Sequence, residues 1–257
     1  MKALSVGFIG GGRITKILLQ GFKNKLIKFD SVRVYEPNVE TLNKLKHDHT
    51  DIEKAATPED AAQAKVVFIA VHPPQVMETL DKIAGVVKED TIVVSLAPKL
   101  TIEKIASKVK TTNIVRMIPN ATSYINKGYN PLAFHTSVSE KERKQIRKML
   151  KPLGKTFVTE ENKLESYAIV SAMLPIYFWF QWHEMESIAQ KTGLTPKESQ
   201  KAVKSTLKKA IKLYYDSGLT PEEVIDLIPV KPIGENEEEI KNTLNAKLLG
   251  LFEKIKP

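Results

Sequence analysis

At 257 residues, with 42% of them hydrophobic and no cysteine, the chain can bury a full core in one large or two ordinary domains. Disulfides, thiolate catalysis and Cys-ligated metals are excluded. The formal net charge of +9 comes from 39 basic residues, of which five are Arg, and the Lys are scattered rather than clustered with aromatics. That pattern points to a solvated lysine-rich surface and away from a nucleic-acid groove.

The first segment, Leu4 to Ile9, is an apolar strand that breaks at once into Gly10, Gly11 and Gly12, followed by Arg13, Ile14 and Thr15. It reads as a dinucleotide-binding turn. Gly10 permits the tight bend, and Gly12 lets the backbone approach a pyrophosphate. The helix opening at Arg13 aims its N–H groups and positive dipole end at the phosphates. Thr15 stands where the pattern has Gly or Ala, and a glycine-rich turn without a ligand is the alternative. One Lys before a short apolar run, with no small-residue cleavage site, is not a secretory layout, so a cytoplasmic location is expected.

Val32 to Tyr35 is a second strand that ends at Glu36. An acid about 20 residues beyond such a turn is expected to accept hydrogen bonds from the adenosine ribose. A carboxylate there repels a 2′-phosphate, so NAD is favoured over NADP within an NAD(P)H-type cofactor. Asn38 and Lys44 are the residues that would serve a phosphate if the loop folded differently, and a solvated strand-end Glu is the alternative.

Further strands are expected at Val66 to Val71, Thr91 to Leu96, Ile114 to Ile118, Pro131 to His135 and Thr156 to Thr159, with amphipathic segments between most of them and a charged helix at Glu140 to Leu150. Continuous apolar strands of this kind are buried on both faces, as in a parallel sheet covered by helices. The predicted fold class is therefore α/β. A Rossmann-type, doubly wound, mostly parallel sheet over residues 1–160 precedes an all-α C-terminal domain over 161–257.

After the last strand the pattern is helical. The run Tyr167 to Trp182 is uncharged but shorter than the roughly 18 to 20 residues a bilayer span needs, and it contains Ser171, Pro175 and Gln181. It reads as a buried helix with a subunit interface as its natural destination, and no membrane partner is expected. Helices at Pro196 to Tyr215 and Pro221 to Ile228 open on Thr-Pro pairs, and a last helix covers Glu237 to Ile255.

Three more segments, together with the glycine turn, resemble the pyrroline-5-carboxylate reductase family in the family's order. They are V-V-F-I-A-V-H-P-P-Q at 66–75, I-V-R-M-I-P-N-A-T at 114–122 and S-A-M-L-P-I-Y at 171–177. The resemblance implies a helical domain whose long helices interlock in a homodimer, with higher assemblies built from dimers. It also implies reduction of a cyclic imine in proline biosynthesis. Gly10, Gly11, Gly12, Arg13, Ile14, Glu36, Ala70, Val71, His72, Pro73, Ala97 and Asn120 match its cofactor positions. Asn120, Ser171, Pro175, Tyr177, Gly234, Glu235 and Asn236 match its substrate positions, with the 231–236 loop expected from a partner subunit. Candidates for a catalytic role are Ser171, Tyr177, His72 and Glu235, and no metal is implied.

The departures are specific. His72 stands where the family has Lys, and Met173, Leu174 and Ile176 replace small residues. The substrate loop S-P-G-G-T-T is replaced by K-P-I-G-E-N at 231–236, where Glu235 would repel a carboxylate unless Lys231 or protonation compensates. S-L-A-P-K at 95–99 replaces S-x-A-A-G, so Lys99 either binds an anionic substrate or points to solvent. No Ser-His-Asp set or metal-ligand cluster stands out, as suits a reaction whose reagent is the cofactor. Two alternatives stay open: a related reductase of another imine, keto or hydroxy-acid substrate, for which His72, His183 and Lys99 are the acid/base candidates, or a non-catalytic dinucleotide sensor.

Overall fold

The computed structural model describes residues 4–257, and eight strands among them form one sheet. Residues 1–3, included in the expected 1–160 domain, lie outside the described residues. Strand and helix alternate through β1 (Ser5–Ile9), α1 (Arg13–Asn24), β2 (Ser31–Tyr35), α2 (Val39–Asp48), β3 (Glu53–Lys54), α3 (Pro58–Ala62), β4 (Val66–Ile69), α4 (Pro73–Ile83), β5 (Ile92–Ser95), α5 (Ile102–Ala106) and β6 (Ile114–Met117). Then follow β7 (Gly128–Phe134), α6 (Glu140–Leu150), β8 (Gly154–Val158) and α7 (Leu164–Tyr167).

The strand order is β3-β2-β1-β4-β5-β6-β7-β8. The first six run parallel, β7 is antiparallel to β6, and β8 is parallel to β7. This is the Rossmann arrangement anticipated from the sequence, and its strand order reverses between β1 and β4, where ligands of such sheets bind. Because the first six strands point the same way, the loops that leave their C-terminal ends share one edge of the sheet.

Every residue of β4, β5 and β6 is buried, which accounts for their unbroken apolar runs. Phe8 of β1 stacks on Phe68 of β4 with ring centroids 4.7 Å apart, and α1 covers the sheet with Leu18, Leu19 and Phe22. Burial of each such ring contributes about 2–3 kcal/mol. The edge strand β3 has no sequence signal, since both its residues are exposed and charged. β7 begins at Gly128, earlier than the Pro131 start expected, because the Gly-Tyr-Asn-Pro run looks like a turn but pairs with β8 from Gly128 onward.

Residues Leu164, Glu165, Ala168 and Ile169 are buried, and Ala168–Ala172 form a π-helical turn. The chain then continues as α8 (Leu174–Lys191), α9 (Pro196–Asp216), α10 (Pro221–Asp226) and α11 (Glu237–Ile255). The single buried helix expected over Tyr167 to Trp182 is thus two pieces. The π-turn interrupts it, and α8 starts with Pro175 in its first turn, where the missing N–H costs nothing. No α8 side chain is buried within the chain, and Ile176 and Phe180 are 57% and 66% exposed. Thr195 and Thr220 each cap their helix in a box closed by Glu198 and Glu223.

By compactness the chain divides into two units, one running to Ala172 and taking in Leu251–Pro257, the other Met173–Gly250. No helix among the described residues is long and apolar enough to cross a membrane.

Candidate dinucleotide and substrate site

The glycine turn follows β1 directly. Gly10 has φ +105°, and a Cβ built there would lie 2.6 Å from the Ala70 carbonyl, so both the backbone conformation and the close approach of β4 require glycine. Thr15 is fully buried, and its hydroxyl donates to the Gly10 carbonyl at 2.5 Å. The residue that departs from the glycine pattern therefore braces the turn from beneath. Gly12 faces open space, with nothing within 4 Å of an added Cβ, and it caps α1 without any side-chain bond to the helix N–H groups. A helix start left open in this way suits a diphosphate.

Glu36 sits at the end of β2. Its Oε2 accepts the Gly11 N–H at 2.9 Å and its Oε1 accepts the Asn38 N–H at 3.0 Å. The two carboxylate oxygens retain lone pairs for a ribose hydroxyl. Asn38 itself caps α2 by accepting from the Thr41 N–H, and Lys44 pairs with Glu40. Neither residue of the phosphate alternative is therefore free of other partners.

Along the same edge, β4 ends in Ala70, Val71, His72 and Pro73. Ala70 donates its N–H to the Ile9 carbonyl at 2.8 Å, and His72 is the exposed first residue of the α4 start, with no side-chain cap bond. β5 ends in Leu96, the buried Ala97, Pro98 and Lys99. Lys99 has φ +76°, a left-handed conformation that costs a non-glycine residue about 1–2 kcal/mol. The glycine expected at this position by resemblance thus matches the backbone, and the lysine occupies it under strain.

That strain is held by a buried ionic cluster the sequence reading missed. The Lys99 N–H donates to Glu165 Oε1 at 3.1 Å, and the same oxygen accepts from the guanidinium of Arg116. Arg116 on β6 is fully buried and also donates to Glu161 Oε1 at 2.9 Å, which in turn accepts the Ile102 N–H at 2.6 Å. The available signal was an Arg inside the unbroken apolar strand I-V-R-M, which demands a buried acid, and the Glu161/Glu165 pair four residues apart.

β6 leads to Asn120, 5% exposed. Its Nδ2 donates to the Ser171 carbonyl at 3.0 Å, with the Ser171 hydroxyl at 3.4 Å. Its Oδ1 accepts from the Thr122 N–H at 2.9 Å and from the Thr122 hydroxyl. Asn120 and Ser171, 51 residues apart, are thereby joined within the first unit, with Asn120 acting on the π-turn that carries Ser171.

In the second unit, Pro175 and Tyr177 lie half-buried in the first turns of α8, and burial pushes the Tyr177 phenol above its ordinary value. Gly234–Asn236 form a 3-10 turn before α11, with Glu235 and Asn236 exposed. Beside it runs a groove of about 410 Å³ lined by Ile225, Ile228, Val230, Ile233 and Ile240 with Lys231 at its side. His183 lies on another surface of the same unit with Glu186, Ser187, Gln190 and Lys191.

Comparison with known proteins shows what the chain is similar to. The family described as NADP oxidoreductase coenzyme F420-dependent matches residues 5–99. Pyrroline-5-carboxylate reductase 2 of Bacillus subtilis is 24% identical over 222 residues, 85% of this chain and 80% of its own. Pyrroline-5-carboxylate reductase of Escherichia coli is 24% identical over 239 residues, 92% of this chain and 88% of its own. The crystal structure of Plasmodium falciparum pyrroline carboxylate reductase with NADP bound shares the fold, with a TM-score of 0.84 at 21% identity over 100% of this chain and 98% of that one. The shared fold is a Rossmann-type, mostly parallel sheet followed by a helical C-terminal region. The curated relatives it resembles over most of its length are pyrroline-5-carboxylate reductases.

Proposed function

We propose that the protein reduces 1-pyrroline-5-carboxylate, or a close cyclic imine, with NAD(P)H. The observation that carries this is the single sheet edge on which the glycine turn, Ala70 to Pro73, Leu96 to Lys99 and Asn120 follow one another in strand order, with Asn120 already bonded to Ser171. When bound, the cofactor supplies the hydride. The chain's share is orientation. Gly10, Gly11, Gly12, Arg13 and Ile14 hold the diphosphate at the start of α1, and Glu36 accepts from the ribose. Ala70, Val71, His72, Pro73 and Ala97 line the nicotinamide end.

The proposed substrate contacts are Asn120, Ser171, Pro175 and Tyr177, with Gly234, Glu235 and Asn236 supplied by the 231–236 loop of a second copy of the chain. A Tyr177 phenol raised by burial keeps its proton at neutral pH and serves as a hydrogen-bond donor. The substrate nitrogen enters already protonated as the iminium, so the reaction asks little acid catalysis of the protein. Glu36 favours NAD over NADP by repelling a 2′-phosphate. The exposed apolar side chains of the helical unit, including Phe180 at 66%, Ile228 at 68% and Val230 at 71%, support a homodimer through these helices. A cytoplasmic site of action completes the proposal.

A second reading, a more apolar imine or keto substrate, is favoured by the isoleucine-lined groove beside the 234–236 turn. Purified protein mixed with NADH or NADPH and a panel of cyclic imines and 2-keto acids distinguishes the cases. Oxidation of cofactor with 1-pyrroline-5-carboxylate supports the first reading, and oxidation only with another substrate supports the second. Thermal stabilisation by nucleotide without turnover identifies a sensor instead.

A further inference from the structure

We propose that Lys99 is the cation that recognises the substrate's carboxylate, a specificity-determining role that rests on the reaction proposed above. The argument begins with position. Along the sheet edge the loops run Glu36 after β2, the glycine turn after β1, His72 after β4, Lys99 after β5 and Asn120 after β6. With the diphosphate at the glycine turn and the ribose at Glu36, the nicotinamide lies toward β4, β5 and β6. Lys99 is on that side.

Its conformation is the second observation. A lysine that merely served as a solvated surface residue would gain nothing from φ +76°, yet here the strained backbone is retained and its N–H is anchored on Glu165, itself 1% exposed and paired with the fully buried Arg116. The anchor fixes the direction in which the side chain leaves the strand end. The third is charge. Lys99 is exposed, and among the described residues no carboxylate lies within 4 Å of its ammonium, which leaves the charge available to an anion.

The test compares two imines that differ only in the carboxylate, 1-pyrroline-5-carboxylate and 1-pyrroline, in wild type and in Lys99→Met, Lys99→Gly and Lys99→Arg. Glycine suits the left-handed backbone, so that variant folds at least as well as wild type while lacking the ammonium. The ratio of kcat/KM for the carboxylate imine over 1-pyrroline is expected to fall about 10- to 100-fold in the Met and Gly variants, chiefly through KM, and to recover in the Arg variant. An unchanged ratio overturns the proposal. Wild type that reduces neither imine overturns the proposed reaction and leaves the residue to be read by binding. The nicotinamide-nucleotide complex is then heated with L-proline or pyruvate, and a stabilisation that Lys99→Gly abolishes supports the assignment. Stabilisation equal in both, or none, overturns it.

Discussion

The carboxylate of Glu36 accepts the Gly11 N–H at 2.9 Å, so the acid that closes β2 is bonded to the turn that closes β1. A Cβ on Gly11 would lie 2.8 Å from the Glu36 Cβ, which shows how closely the two loops are fitted. One residue thereby has two tasks, shaping the turn and, in the proposed function, accepting from the ribose.

Replacing Glu36 with Ser separates those tasks. Loss of the bond to Gly11 is expected to destabilise the protein by about 1 kcal/mol, since the carboxylate is partly open to solvent. Loss of the negative charge is expected to shift the ratio of kcat/KM for NADPH over NADH upward by about tenfold or more. Thermal melts and steady-state kinetics with both nucleotides check the two effects.

Gly10→Ala tests the turn itself. The φ of +105° alone costs a residue with a Cβ about 1–3 kcal/mol, and the 2.6 Å approach to the Ala70 carbonyl forces the ends of β1 and β4 apart at the proposed nucleotide turn. The variant is expected to melt several degrees lower and to lose stabilisation by nucleotide. Gly12→Ala meets no such contact and is expected to keep the fold while weakening nucleotide binding.

The buried pair Arg116 and Glu165 makes a different prediction. Arg116→Met leaves Glu165 an uncompensated buried charge and is expected to cost about 3–5 kcal/mol in urea denaturation, whereas Glu165→Leu leaves Arg116 its bond to Glu161 and is expected to cost less. Arg116 Nε and Glu165 Oε2 have no hydrogen-bond partner among the described residues, so the cluster is incompletely satisfied. The double variant is therefore expected to recover most of that loss in stability, while the Lys99 loop loses its anchor.

His49 predicts part of the acid response. Its ring is buried, with Nε2 unpartnered among the described residues, and burial holds its pKa below the ordinary histidine value. The unfolded chain binds the proton more readily. His49 therefore contributes stability that is present above about pH 6.5 and lost as pH falls through the depressed native value. His49→Gln is expected to flatten the fall in melting temperature as pH drops below about 6.5. Parallel curves for the two proteins would contradict this.

The parallel sheet is legible in the sequence because strands such as V-V-F-I and I-V-V-S are buried on both faces and leave continuous apolar runs. The Thr-Pro starts of α9 and α10 are legible because capping is local. By contrast, β3 is two charged residues that pair only because β2 is beside them. The break at 168–172 follows from Pro175 and from packing of Leu164 and Ile169, neither of which periodicity reports. In the site, the glycine turn and Glu36 are visible as spacing. The bond from Asn120 to Ser171 and the anchor of Lys99 on Glu165 span 51 and 66 residues, and only the fold brings those groups together.

The central claim is hydride transfer to a cyclic imine, and product formation tests it most directly. Purified protein incubated with 1-pyrroline-5-carboxylate and NADH or NADPH is expected to form proline in a one-to-one ratio with the cofactor oxidised, followed by amino-acid chromatography and absorbance at about 340 nm. Nucleotide binding without proline from either cofactor would contradict it.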